Sequence, residues 1–270
     1  MDSKYHIAVK YGDLVDEIKI IEYMKKYSTD FECHDIYVNA HIVEGKNDYI
    51  VLDALNGTLY DLIKQFDKNK SMTHEQYFKV MVKIFIQLVY SFQCLVRHNL
   101  FYTDIKLENI LYKRNSRDEI SIILGDIGSI ATKNDNSEGI SLFLPWWLKE
   151  TGGILKSAKL TERAIVAILG ITFANLLQKK KLDMFFSYAT IKKTTMKEYN
   201  NHITEIINEI EQLYGITYIK NITDLLHDML SPNEINVPTF DKVLQTLTKY
   251  LDESEAYIIP LPKTPLTPKT

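Results

Sequence analysis

Residues 98–111 read HNLFYTDIKLENIL, and residues 125–128 read GDIG. The first stretch puts an acid, a base and an amide, Asp104, Lys106 and Asn109, on a short loop without repeats. Its left flank is the end of a long amphipathic pattern, and its right flank, Asn109 to Tyr112, is apolar and strand-like. A second apolar run, Ile120 to Leu124, then delivers Asp126 ahead of a glycine. Two strands that present carboxylates and an amide at neighbouring ends suit divalent-metal and phosphate chemistry. Mg²⁺ takes hard oxygen ligands and usually keeps only one or two protein carboxylates beside substrate phosphates.

The spacing narrows this further. Asp104 and Asn109 stand five apart, as in the protein-kinase catalytic loop H-R-D-x-x-x-x-N, and GDIG follows where D-F-G lies in that pattern. The chain therefore resembles the eukaryotic-type protein kinase family. The resemblance implies an α+β, two-lobed fold, with a small β-rich N-terminal lobe and a larger, mostly helical C-terminal lobe. It also implies that Asp104 accepts the proton of a substrate hydroxyl, that Asn109 and Asp126 hold Mg²⁺, and that Lys106 steadies the γ-phosphate of ATP. A lysine two residues after the catalytic aspartate is the Ser/Thr form of the family pattern.

Two positions of the loop depart from the family. Tyr102 replaces the usual His, and its ring is expected to join Ile21 and Ile127 in an apolar spine between the lobes. Thr103 replaces an Arg that normally pairs with a phosphorylated activation loop, and a hydroxyl cannot supply that bidentate charge. Modification of Ser129, Thr132, Ser137 or Ser141 is therefore not expected to be needed for activity.

Upstream, Tyr5 to Lys10 reads as a strand ending in lysine, and Asp13 is placed to cap a helix striped by Leu14, Ile18, Ile21 and Met24. AVK followed by a helical glutamate is similar to the family's A-x-K and its partner. The resemblance assigns Lys10 to the α- and β-phosphates and Glu17 to an ion pair with Lys10, with Glu22 the competing partner. The nine residues before Lys10 hold no glycine. The G-x-G-x-x-G loop that covers the phosphates is missing, so the N-terminal lobe is expected to be reduced. Ile36 to Val43 and Asp48 to Leu52 read as two strands around the polar turn EGKN. DALNGTLYDLIKQ then resembles the hinge and first helix of the large lobe. That register makes Leu52 the gatekeeper and offers the backbone of Asp53 to Leu55 to the adenine edge.

Composition sets the outer limits. With 270 residues, 46% hydrophobic and 25% charged, the chain can bury one large core or two small ones. A net charge of −3 gives no reason to expect nucleic-acid binding. Cys33 and Cys94 lack metal-ligand spacing, so free thiols in an intracellular, reducing setting are expected. No signal peptide is recognisable, and the apolar stretch Ala164 to Leu177 is too short for a membrane span and reads as a buried helix.

Thr73 and Gln76 form a capping box before a stripe of Met81, Ile84, Phe85, Leu88, Phe92 and Leu95 at helical spacing. Ser129 to Phe143 reads as an exposed polar activation segment, followed by LPWW. Pro145 stands near the A-P-E proline of the family, without the glutamate. In the helix after it, Ile165 falls where the family has a bracing Asp, with Glu162 the stand-in. The remainder reads as helices with loops near Asn200 and at residues 231–236. The expected organisation is a kinase-like domain over 1–253, divided at about residue 55, and a proline-rich tail over 254–270 that is extended or disordered. The leading function is ATP- and Mg²⁺-dependent transfer to Ser or Thr of a protein substrate, without nucleic acid or membrane. The alternative is a pseudokinase that binds a partner kinase or its substrate.

Overall fold

The structure is a computed structural model, and it describes residues 7–12, 14–26, 40–43, 49–68, 72–102, 104–117, 119–132, 138–140, 143–151, 154–156, 160–180 and 183–253. Asp13, Thr103 and the tail 254–270 lie outside these residues, as do the side chains of Met24, Asp53 and Ile127.

The N-terminal lobe holds β1 (Ile7–Tyr11), α1 (Val15–Lys26), β2 (Ala40–Val43) and β3 (Tyr49–Asp53). Its strands form an antiparallel sheet of order β1-β3-β2, with Ala8 opposite Leu52 and Lys10 opposite Ile50. Leu14, Ile20 and Ile21 are buried, and Ile18 is half-buried, so the expected stripe faces the sheet and core. Among the described residues no strand lies on the outer side of β1, where Val9 and Tyr11 are exposed. The sheet of this lobe is small, as the family resemblance implies.

Residues 54–56 lead into β4 (Gly57–Thr58) and the C-terminal lobe. There α2 (Leu59–Lys68) and α3 (His74–Arg97) precede β5 (Leu100–Tyr102), β6 (Ile110–Arg114), β7 (Ile120–Leu124) and β8 (Ile130–Thr132). The Thr73 hydroxyl accepts from the Gln76 backbone at 3.1 Å, and the Gln76 side chain accepts from the Thr73 N–H at 2.9 Å, which fixes the start of α3. All six residues of the α3 stripe are buried. By length and apolarity α3 passes for a membrane span, yet its apolar residues form the core of this lobe.

The stripe packs on α4 (Glu162–Leu177), where Phe85 stacks on Phe173 with centroids 4.0 Å apart. Every residue of α4 from Ala164 to Leu177 is buried, as expected of a helix apolar on all sides. After β9 (Glu138–Ile140) and β10 (Ile154–Lys156), which pair, come α5 (Tyr188–Ile191), α6 (Met196–Tyr214), α7 (Ile216–Met229) and α8 (Phe240–Glu253).

Four expectations change. Asn200 lies inside α6, because a capping box of Thr195 and Glu198 starts the helix earlier and Tyr199, Ile203, Ile206 and Ile210 carry its buried face through the asparagines. Ser129 to Phe143 is not one exposed segment: Ile130 and Ala131 are buried in β8, and Phe143 is buried at the far end. Glu162 does not brace the catalytic loop, since its carboxylate accepts the Phe240 N–H at 2.7 Å and so caps the start of α8. Cys94 is disulfide-bonded rather than a free thiol; Cys33 lies outside the described residues.

Candidate active site

The loop between β5 and β6 owes its shape to alternation. Ile105, Leu107 and Ile110 are buried, which leaves Asp104, Lys106, Glu108 and Asn109 only partly covered. A turn closed by the Asn109 N–H on the Lys106 carbonyl at 3.0 Å sets the direction of the polar set. The Asp104 Oδ2 accepts from the Lys106 ammonium at 2.5 Å and from the Asn109 amide at 2.8 Å. A second bond from the same amide to the Asp104 carbonyl, at 3.0 Å, commits the nitrogen of Asn109. The oxygen of that side chain is then the atom able to ligate a cation.

Asp126 reaches this loop through strand register. In the β6–β7 hairpin Ile110 pairs with Leu124, and one residue further the Gly125 N–H donates to the Asn109 carbonyl at 2.8 Å. A Cβ at Gly125 would meet Leu111 at 3.0 Å and the Asn109 carbonyl at 3.2 Å, so glycine permits the approach. Asp126 follows with a φ of 50°, in the left-handed region that costs a non-glycine residue about 1–3 kcal/mol. The strained backbone is held by neighbours. Ser129 donates to its carboxylate at 2.8 Å, and the Ser129 N–H donates to its carbonyl at 3.0 Å.

Across the cleft, Lys10 on β1 sits 2.5 Å from Glu17 on α1 and 3.5 Å from Asp126. Glu17 is buried and is the partner of Lys10, while Glu22 is exposed. Burial pulls the Lys10 pKa down, but the hydrogen bond and charge of Glu17, with Asp126 behind them, outweigh this and leave it raised. The Gly128 N–H also points to Glu17, at 3.4 Å. Lys10, Glu17 and Asp126 form the polar end of a pocket whose apolar remainder is Ile50, Leu52, Leu111 and Gly125. Leu55 is half-buried and follows β3, in which Asp53 pairs with Ile7.

Tyr102 does something the sequence did not signal. Its ring is buried edge-on against Phe92, and its hydroxyl donates to the Gly125 carbonyl at 2.5 Å, tying the Asp104 loop to the Asp126 loop. Burial, and then the charges of Asp126 and Asp104, push its pKa far above the usual tyrosine range, so it stays a donor. Tyr102→Phe is expected to destabilise the fold by about 1–3 kcal/mol, the cost of leaving a buried carbonyl unpaired. Denaturant unfolding measures it, and a change within error would show that the hydroxyl does not join the loops.

A two-lobed fold with a lysine–glutamate pair above, an aspartate–lysine–asparagine loop below and a second aspartate between them defines the protein-kinase-like class. The family model described as "Protein kinase domain" matches residues 3–248, and the chain belongs to that family. A curated relative, the probable serine/threonine-protein kinase dyrk2 of Dictyostelium discoideum, is 27% identical over 127 residues. That match covers 46% of this chain but only 13% of the relative.

Proposed function

We propose that the protein transfers the γ-phosphoryl group of ATP, with Mg²⁺, to serine or threonine hydroxyls of protein substrates. The observation that carries this reading is the convergence of Lys10, Glu17 and Asp126 at one end of an apolar pocket. Lys10, held by Glu17, offers its charge to the α- and β-phosphates, and the apolar walls take the adenine, with the backbone of Asp53 to Leu55 at its edge. Asp126 and Asn109 would hold Mg²⁺, which would supply positive charge against the phosphates. Its fit rests on the donor set, one carboxylate at Asp126 and one amide oxygen at Asn109, both hard ligands.

Asp104 takes the substrate proton through Oδ1, since Lys106 and Asn109 both donate to Oδ2. Lys106, already beside that carboxylate, turns its charge to the γ-phosphate once substrate is present. The Ser/Thr form of the loop and the dyrk2 similarity support the choice of hydroxyl.

One observation favours a second reading, a binding module for another kinase or its substrate. The cleft is roofed among the described residues by three strands with β1 at the edge. A thermal-shift titration separates the two readings. ATP with Mg²⁺ is expected to raise the melting temperature and ATP with chelator much less. Asp126→Ala is expected to lose the Mg²⁺-dependent part. Transfer of labelled γ-phosphate to a generic protein completes the test, and a parent that neither binds nor transfers supports the binding module.

A further inference from the structure

Beyond the nucleotide cleft, a second set of polar and aromatic groups converges behind residues 143–151. This strap begins with buried Phe143 and Leu144 and continues into a 3₁₀ turn, Trp146–Thr151. Two backbone contacts join it to residues 183–187. Phe143 pairs with Ser187 in a β-bridge, and the Leu144 N–H donates to the Phe186 carbonyl at 3.1 Å. Asp183 caps this supporting segment by accepting the Phe185 N–H at 3.0 Å.

The support is itself fastened to α6 by a polar pair and by aromatic contacts. The Nε2 of His202 lies 2.7 Å from the Asp183 carboxylate, and its ring stacks on Phe185 with centroids 3.9 Å apart. One turn earlier on α6, Tyr199 packs against Trp146 at 5.2 Å and edge-on against Phe186 at 5.9 Å. Glu205 faces the other ring nitrogen of His202 at 3.6 Å, and the charge of Lys180 reaches Asp183. Burial works to raise the Asp183 pKa, yet the hydrogen bond and charge of His202 prevail and leave it lowered. A polar pair this well covered is there for geometry, since two apolar side chains would fill the space at less cost.

We propose that Asp183 and His202 are positioning residues for the strap and, through it, for the protein substrate, without a part in nucleotide binding. The substrate clause rests on the kinase reading above; the anchoring of the strap does not. Removing His202 frees the Asp183 cap, then the 184–186 turn, then the bridge beneath Phe143. The nucleotide end of the site, built on β1, α1 and the β6–β7 hairpin, shares none of these contacts.

The only two tryptophans of the chain, Trp146 and Trp147, lie on the strap, so tryptophan emission reports on it alone. The experiment compares the parent with His202→Ala, His202→Gln and Asp183→Asn, well below the melting temperature of each. His202→Ala is expected to shift emission to the red and to increase acrylamide quenching, with far-UV circular dichroism and Mg²⁺–ATP binding unchanged. His202→Gln, which keeps a donor near the Nε2 position, is expected to restore much of the parent signal. The KM for protein substrate should rise severalfold in His202→Ala, as a strap displaced from a distance implies, while the KM for ATP holds. If the alanine variant does not fold, Asp183→Asn, which keeps a capping side chain but loses the charge, decides by the same signals. Unchanged quenching in a folded variant, or kcat and both KM values degraded together, overturns the proposal. Increased quenching in a protein whose parent transfers no phosphate upholds the anchoring and removes the kinase reading instead.

Discussion

Asp104→Asn is expected to lower phosphoryl transfer by about 10²–10⁴-fold, the range for losing a positioned general base. The melting temperature should barely move. Asparagine has nearly the same volume and keeps an oxygen to accept from Lys106 or Asn109, so the loop retains at least one of the two bonds on Oδ2 together with those to the Asp104 and Lys106 carbonyls. Lys106 is partly exposed, so water can replace the partner it loses. Only the capacity to take a proton disappears. A single-turnover assay beside a melting curve reads both quantities, and a variant that keeps most of the parent rate removes Asp104 from the role of base.

Gly128→Ala is expected to cost about 10²-fold in transfer, the scale of a displacement of about 1 Å in a catalytic array. A Cβ there would lie 2.8 Å from the Glu17 Cγ, closer than side chains tolerate. The Glu17 side chain must then move aside, and with it the carboxylate that holds Lys10. Combining Gly128→Ala with Lys10→Met should cost no more than Lys10→Met alone, because both remove the same pair and effects within one unit do not add. Full additivity would mean that Gly128 acts on something other than Glu17.

Those two predictions rest on residues that the sequence marked, and the reason is local. The spacing from Asp104 to Asn109, the stripe from Met81 to Leu95 and the box at Thr73 and Gln76 are short-range patterns, fixed by the periods of loop, strand and helix. Pairing of Lys10 with Glu17 came from the family resemblance rather than from spacing, and the structure brings the two side chains together. Contacts between distant segments were not. Glu162 meets Phe240 and Tyr102 meets the Gly125 carbonyl through the packing of whole elements, and neither residue type announces its partner. At Asn200 two turn-forming residues outweighed a capping box and an apolar stripe in the reading, whereas in the folded chain the buried face prevails. His202 and Asp183 carry no motif at all, and only the bridge between residues 143 and 187 gives them meaning.

The β6–β7 hairpin also bears on how the protein tolerates rebuilding. Its register, Ile110 on Leu124 through Arg114 on Ile120, places Asn109 beside Gly125 whatever joins the strands at their far end. That end is a surface turn in which Asn115, Ser116 and Arg117 are exposed, with the Asn115 side chain accepting the Arg117 and Glu119 N–H groups. Each doubling of such a turn costs only about 0.6 kcal/mol in closure entropy, and five ladder pairs resist slippage. A fluorescent or affinity domain grafted between Ser116 and Arg117 therefore leaves the carboxylates and amide of the cleft in place, giving a labelling position on the hairpin that carries the site.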